Sequence, residues 1–196
     1  MGKSLGNFIT LEQFFTGNHP SLEQAYSPMT IRFFILSAHY RGTVDFSNDA
    51  LKASQKGLQK LMDGISAMER INAEAKSTEE VHNFVSALRQ KCYDAMNDDL
   101  QTPLVISNLF EACHVINTIV DHKATIDAAD LEELKSTIST FAYDILGLRA
   151  DVSSGDGKRE EAFGKVVDMV LELRKQARSE KNWAVSVSYT HLRAHE

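Results

Sequence analysis

The 196-residue sequence is poor in residues that interrupt helices, with three prolines and ten glycines. So few obligatory breaks argue against the turn-dense spacing of a β-sandwich or barrel and favour long helices; the fold class expected is all-α. Cysteine is also scarce. Cys92 and Cys113 form no CxxC pair, and the seven histidines show no HExxH or Cys/His ligand spacing, so no metal site is expected in this chain. Two isolated cysteines among helix-forming residues read as small buried apolar groups suited to a reducing compartment. No apolar run approaches the roughly 20 residues needed to span a bilayer. The opening residues lack a signal-type apolar segment, and Gly6 stands where a myristoylation signal has Ser or Thr. These absences together point to a cytoplasmic protein with no membrane partner.

An excess of positive charge is missing as well. The net charge of −6 counts against a uniformly basic nucleic-acid-binding surface, because phosphate contacts need Lys and Arg. The charge is unevenly spread. Residues 127–156 hold seven acids and two bases, whereas 157–181 hold five acids and seven bases, so any RNA contact must be local.

What is present is helical periodicity. Thr10 with Gln13 has the pattern of a capping box for a short helix, and Gly17-Asn18-His19-Pro20 follows as a loop. Ser27 caps a helix with Pro28 at its first position, apolar nearly all round through Leu36. It stops near His39-Tyr40-Arg41-Gly42, and Thr43 to Phe46 is at most a short extended stretch. Ser47 opens a long amphipathic helix expected to reach about Ala75, marked by Leu51, Leu58, Leu61, Met62, Ile65, Met68 and Ile71. After a turn at Lys76-Ser77-Thr78, Val81, Phe84, Val85, Leu88, Cys92 and Met96 give the next stripe. Thr102 as cap and Pro103 open a helix through Val120, and another runs from about Leu131 to Leu146, stopped by Gly147. Residues 151–157 read as a linker, 158–186 as a final amphipathic helix, and 187–196 as a non-native tail that continues no period.

The chemistry concentrates in the opening loop. In Gly2-Lys3-Ser4, glycine permits close backbone approach to an anion and lysine supplies a point charge for phosphate oxygens. A Walker A loop should pass straight into a helix, but Leu5-Gly6-Asn7 prolongs the loop, and no β-rich nucleotide-binding domain follows. Met1, Lys3, Ser4, Leu5, Gly6 and Asn7 instead resemble the mobile Lys-Met-Ser-Lys-Ser signature loop of class I aminoacyl-tRNA synthetases, with Gly2 in place of the usual Ser. Three further stretches are similar to the cysteinyl-tRNA synthetase family in order and spacing: Thr30 to Ser47, Ala95 to Pro103, and Leu173 to Ala184. The resemblance covers roughly residues 1–186.

That resemblance implies a C-terminal portion of an ATP-dependent ligase, with a signature loop and stem-contact region at 1–46. An antiparallel helical bundle of the anticodon-binding type, docking tRNA, follows at 47–150. It implies that Lys3, with Ser4 and Gly2, binds the phosphates of ATP, with Mg2+, and that Lys3 stabilises charge on the departing pyrophosphate. Cysteine and tRNA(Cys) would be the other partners of a monomeric enzyme. The family's His-x-Gly-His sequence, Rossmann glycine loop and zinc ligands do not occur here; zinc is expected in the intact enzyme only, and this chain by itself should be inactive. An isolated Lys3 is equally a solvated loop lysine, and Ser4 a turn cap.

Possible tRNA contacts follow from charge alone. Lys52, Lys56 and Lys60 repeat at four-residue steps, with Arg70 beyond them and Arg41 just before; this is either a phosphate-tracking stripe or a solvated helix face. Arg174, Lys175 and Arg178 cluster ahead of Trp183, which either stacks on an unpaired base or packs on a helix. Asp98 and Asp99 are better explained as acids ahead of a helix start than as metal ligands. Two alternatives remain open: a related cysteine ligase acting on an amino sugar, and a non-catalytic helical RNA-binding module.

Overall fold

The computed structural model describes residues 8–150, which fall within one compact unit, Met1–Asp151. Gly2, Lys3, Ser4, Arg174, Lys175, Arg178 and Trp183 lie outside the described residues, as do the expected linker, final helix and tail.

The described residues form an all-α bundle without a β-sheet. The helices are α1 (Leu11–Thr16), α2 (Pro28–Leu36), α3 (Asn48–Ser66), α4 (Glu79–Asn97), α5 (Thr102–Val120) and α6 (Ala128–Ile138). A 3-10 turn, Ala67–Arg70, extends α3, and a π-helical turn, Ser139–Ile145, extends α6. Local signals start the first three. Thr10 and Gln13 make a reciprocal capping box for α1, while the Ser27 and Ser47 hydroxyls accept from the amides of Thr30 and Ala50. Gly147 ends the last helical stretch at φ 62, a left-handed conformation that glycine adopts without a Cβ penalty.

Three expected boundaries differ. The long helix ends at Ser66, not near Ala75: Met68 and Ile71 stay in the apolar core but belong to the 3-10 turn and the strap after it. That strap pairs with the α5–α6 connection, since the amides of Glu74 and Thr78 donate to the carbonyls of Ile126 and Thr125 at 2.8 and 3.0 Å. Thr78 occupies the cap position of α4, yet its hydroxyl accepts from the Thr125 amide at 2.9 Å. Thr102 is not the cap of α5, because Gln101 holds that position and the Thr102 hydroxyl donates to the Leu36 carbonyl at 2.7 Å. Finally, α6 begins at Ala128, capped by the Asp127 carboxylate.

Leu61, Leu88, Val105, Leu109, Ile116, Leu134, Ile138 and Phe141 form the centre of the main core between α3, α4, α5 and α6. A second cluster of Phe14, Tyr26, Ile31, Phe34 and Leu51 lies between α1, α2 and the start of α3. α2 serves both, with Phe33 in the main core and Phe34 in the second. Arg32 adds a polar anchor, donating from Nε to the Leu146 carbonyl at 2.6 Å. A guanidinium there satisfies an orphan carbonyl and complements the negative helix terminus. Among the described residues, α5 is long and apolar enough to cross a membrane by length and composition, contrary to the sequence reading. Its Val105, Leu109, Ala112 and Ile116 instead fill the core.

Both cysteines are buried thiols, as expected. Burial pushes the Cys113 thiol up to about 11 and raises that of Cys92. A disulfide-exchange reagent at pH 8 should therefore leave both unlabelled in the native chain and titrate both in denaturant; rapid native labelling would contradict the packing. The folded state holds its Cys113 proton above the ordinary value of 9.0. Its contribution to stability is therefore complete below pH 9 and declines as pH rises toward 11, seen as a falling denaturation midpoint.

Candidate nucleic-acid interface

The basic positions of α3 differ in their surroundings. Lys52 is engaged with the Glu23 carboxylate, and that hydrogen bond raises its ammonium above the ordinary lysine range. Lys56 and Lys60 are exposed and have no ion-pair partner among the described residues. They lie one turn apart, on the flank of a helix whose opposite side carries Leu51, Leu58 and Leu61 into the cores. Arg70 is exposed on the 3-10 turn and does not continue the α-helical stripe. Two free ammonium groups at this spacing present point charges suited to successive backbone phosphates.

Arg41 follows α2 in a tight turn, where the Gly42 amide donates to the His39 carbonyl at 2.8 Å. Its Nη2 donates to Asp99 Oδ1 at 3.0 Å, and the Tyr40 hydroxyl donates to the same oxygen at 2.7 Å. His39 Nε2 lies 3.6 Å from Asp99 Oδ2. Asp99 and Leu100 are both left-handed, at φ 59 and 55, in the connection between α4 and α5. The expectation for the two aspartates therefore needs revising. Asp98 closes the end of α4 and accepts from the Gln101 side chain, and Asp99 is the acceptor at the centre of a cross-chain cluster. A run of consecutive acids gives no local sign of such a role, because the partners lie almost 60 residues earlier in the chain.

Sequence reading also missed a buried junction at the opposite end of α4. Asp130, on the first turn of α6, accepts from the Ser77 hydroxyl and from His82 Nδ1 at 3.0 Å. The Ser77 hydroxyl also accepts from the Asp127 amide at 3.0 Å. Although it joins Ser, His and Asp, this group has no nucleophile-base pair, because serine and histidine both address the carboxylate and not each other. Its role is to fasten the start of α4 to the start of α6. No group of three or more His, Cys, Asp or Glu side chains able to hold a metal occurs among the described residues.

The helices α5, α6 and the end of α4 coincide with a known module: residues 91–150 match the DALR domain. Over 186 residues, 95% of this chain, it is 58% identical to the cysteine-tRNA ligase of Bacteroides thetaiotaomicron and 56% identical to that of Parabacteroides distasonis. The chain carries a DALR domain and is homologous to cysteine-tRNA ligases. It spans 37% of the length of each of these relatives. The likeness extends to the cysteine-tRNA ligase of Chlorobaculum tepidum, 37% identical over 190 residues, 95% of this chain and 36% of that protein. The homology to cysteine-tRNA ligases thus reaches well beyond the residues of the DALR domain.

Proposed function

We propose that this chain is the tRNA-docking portion of a cysteine-tRNA ligase, a cytoplasmic enzyme that activates cysteine with ATP and transfers it to tRNA(Cys). The observation carrying this reading is 58% identity sustained across 95% of the chain to a protein of that name. In this proposal residues 1–46 supply the signature loop and the stem-contact region, and 47–150 form the bundle along which tRNA lies. Lys56 and Lys60, together with the cluster of Arg174, Lys175 and Arg178, contact backbone phosphates, and Trp183 stacks on a base. Gly2, Lys3 and Ser4 hold the phosphates of ATP, with Mg2+ balancing their charge.

The same reading makes the chain by itself catalytically silent, because adenylate formation requires several groups to act on one bound nucleotide. Purified chain should retard a cysteine tRNA transcript, with affinity that falls as salt rises. It should give no cysteine-dependent exchange between ATP and pyrophosphate. Exchange by this chain alone would refute the incomplete-site account, and salt-insensitive or absent RNA binding would refute the docking role. An amino-sugar ligase predicts cysteine transfer to a sugar amine once the rest of the protein is supplied. A non-catalytic RNA module predicts RNA binding unaffected by that addition.

A further inference from the structure

Resting on the RNA-docking reading, we propose that His39, Tyr40 and Arg41 form a receptor for one RNA backbone phosphate, and that the Asp99 carboxylate occupies it until RNA arrives. The donors are organised by each other as well as by the aspartate. Arg41 Nε donates to the Tyr40 hydroxyl at 2.9 Å, and the guanidinium carbon lies 5.4 Å from the Tyr40 ring centroid. The His39 and Tyr40 rings are stacked at 4.9 Å. His39 Nδ1 accepts from the Arg41 amide at 3.3 Å, which places the ring proton of neutral His39 on Nε2, the nitrogen facing Asp99. A guanidinium, a phenol and an imidazole N–H therefore converge on one oxyanion.

Carboxylate and phosphate share the acceptor geometry that such a donor set recognises, and phosphate offers more oxygens. Asp99 is a displaceable occupant. The Arg41 side chain is 68% exposed and that of Asp99 39%, so solvent screens their attraction. Asp99 and the following Leu100 also hold left-handed backbone that non-glycine residues rarely adopt. A polyanion gains further from the counterions it sheds.

The test is fluorescence anisotropy of a labelled cysteine tRNA transcript with the full 196-residue chain. Asp99→Asn should tighten binding about fivefold, the scale of one exposed ion pair. Asp98→Asn, which removes a neighbouring charge outside the cluster, should change it less than about twofold. In an Arg41→Gln background the Asp99 effect should fall to that of Asp98→Asn. Within Asp99→Asn, adding Arg41→Gln should flatten the salt slope by about one. Asp99→Gly, whose backbone suits this conformation, is a second variant with the same expectation, and thermal melts establish that each is folded. Weaker binding by folded Asp99→Asn, or an effect equal to that of Asp98→Asn, would make Asp99 a structural latch and overturn the inference alone. A wild-type chain that binds no tRNA would overturn the docking reading with it.

Discussion

Gly64→Ala is expected to destabilise the chain by about 2 kcal/mol, although alanine is the better helix former by about 1 kcal/mol. Gly64 lies within α3 where α5 crosses it. A Cβ built there meets Cys113 Sγ at 2.6 Å and Cys113 Cβ at 2.7 Å. Carbon atoms pack best at about 3.5–4.0 Å, so relief requires a displacement of roughly 1 Å. Rotation about χ1 can move the sulfur but leaves Cβ fixed to the backbone. The two helices must therefore separate, loosening Leu61, Leu109 and Ile116 in the main core. For a chain of this size the midpoint should fall by about 4–8 °C. Trimming the partner with Cys113→Ala should restore only part of the loss, because the Cβ contact survives. Gly57 on the same helix is the contrast: there an added Cβ meets the Phe33 ring edge at 3.1 Å, and a ring edge can tilt. Gly57→Ala should be neutral or stabilising, by up to about 1 kcal/mol. Equal midpoints for the two alanine variants would show that α3 and α5 are less tightly packed than their geometry requires.

The same physics separates what sequence made legible from what it did not. The Ser27 and Ser47 caps, the Thr10 capping box and the Gly147 stop are local: each is decided by a side chain and an amide within a few residues. They could be read directly. The end of α3 could not, because periodicity reports burial and not hydrogen bonding. Met68 and Ile71 are apolar because they face the core, while the backbone after Arg70 turns to pair with residues 125–126. Thr102 misled for a similar reason. Its hydroxyl is drawn to the Leu36 carbonyl, a partner supplied by a different helix. Within the candidate interface, the four-residue spacing of Lys56 and Lys60 was visible, but the engagement of Lys52 by Glu23 and the gathering of three side chains on Asp99 are long-range facts.

In a cysteine-tRNA ligase carrying this segment, Lys3→Ala is expected to slow cysteine-dependent adenylate formation by roughly 10²–10³-fold, with tRNA affinity changed little. This follows from the proposed ATP role of the opening loop. Formation of the adenylate breaks the bond between the α- and β-phosphates, and negative charge grows on the leaving pyrophosphate. A fixed ammonium beside those oxygens stabilises that growing charge more than it stabilises bound ATP, so its loss falls on kcat more than on KM. Lys3→Arg keeps the charge but enlarges and flattens the donor, so recovery should be partial. Pyrophosphate exchange and tRNA binding, measured on the same preparations, separate this from a folding defect. A misfolded enzyme loses both, whereas removal of a transition-state contact affects exchange alone. If exchange proceeded at the wild-type rate without the ammonium, the signature-loop assignment of residues 2–4 would fail, while the docking role of the bundle would still stand on its own test.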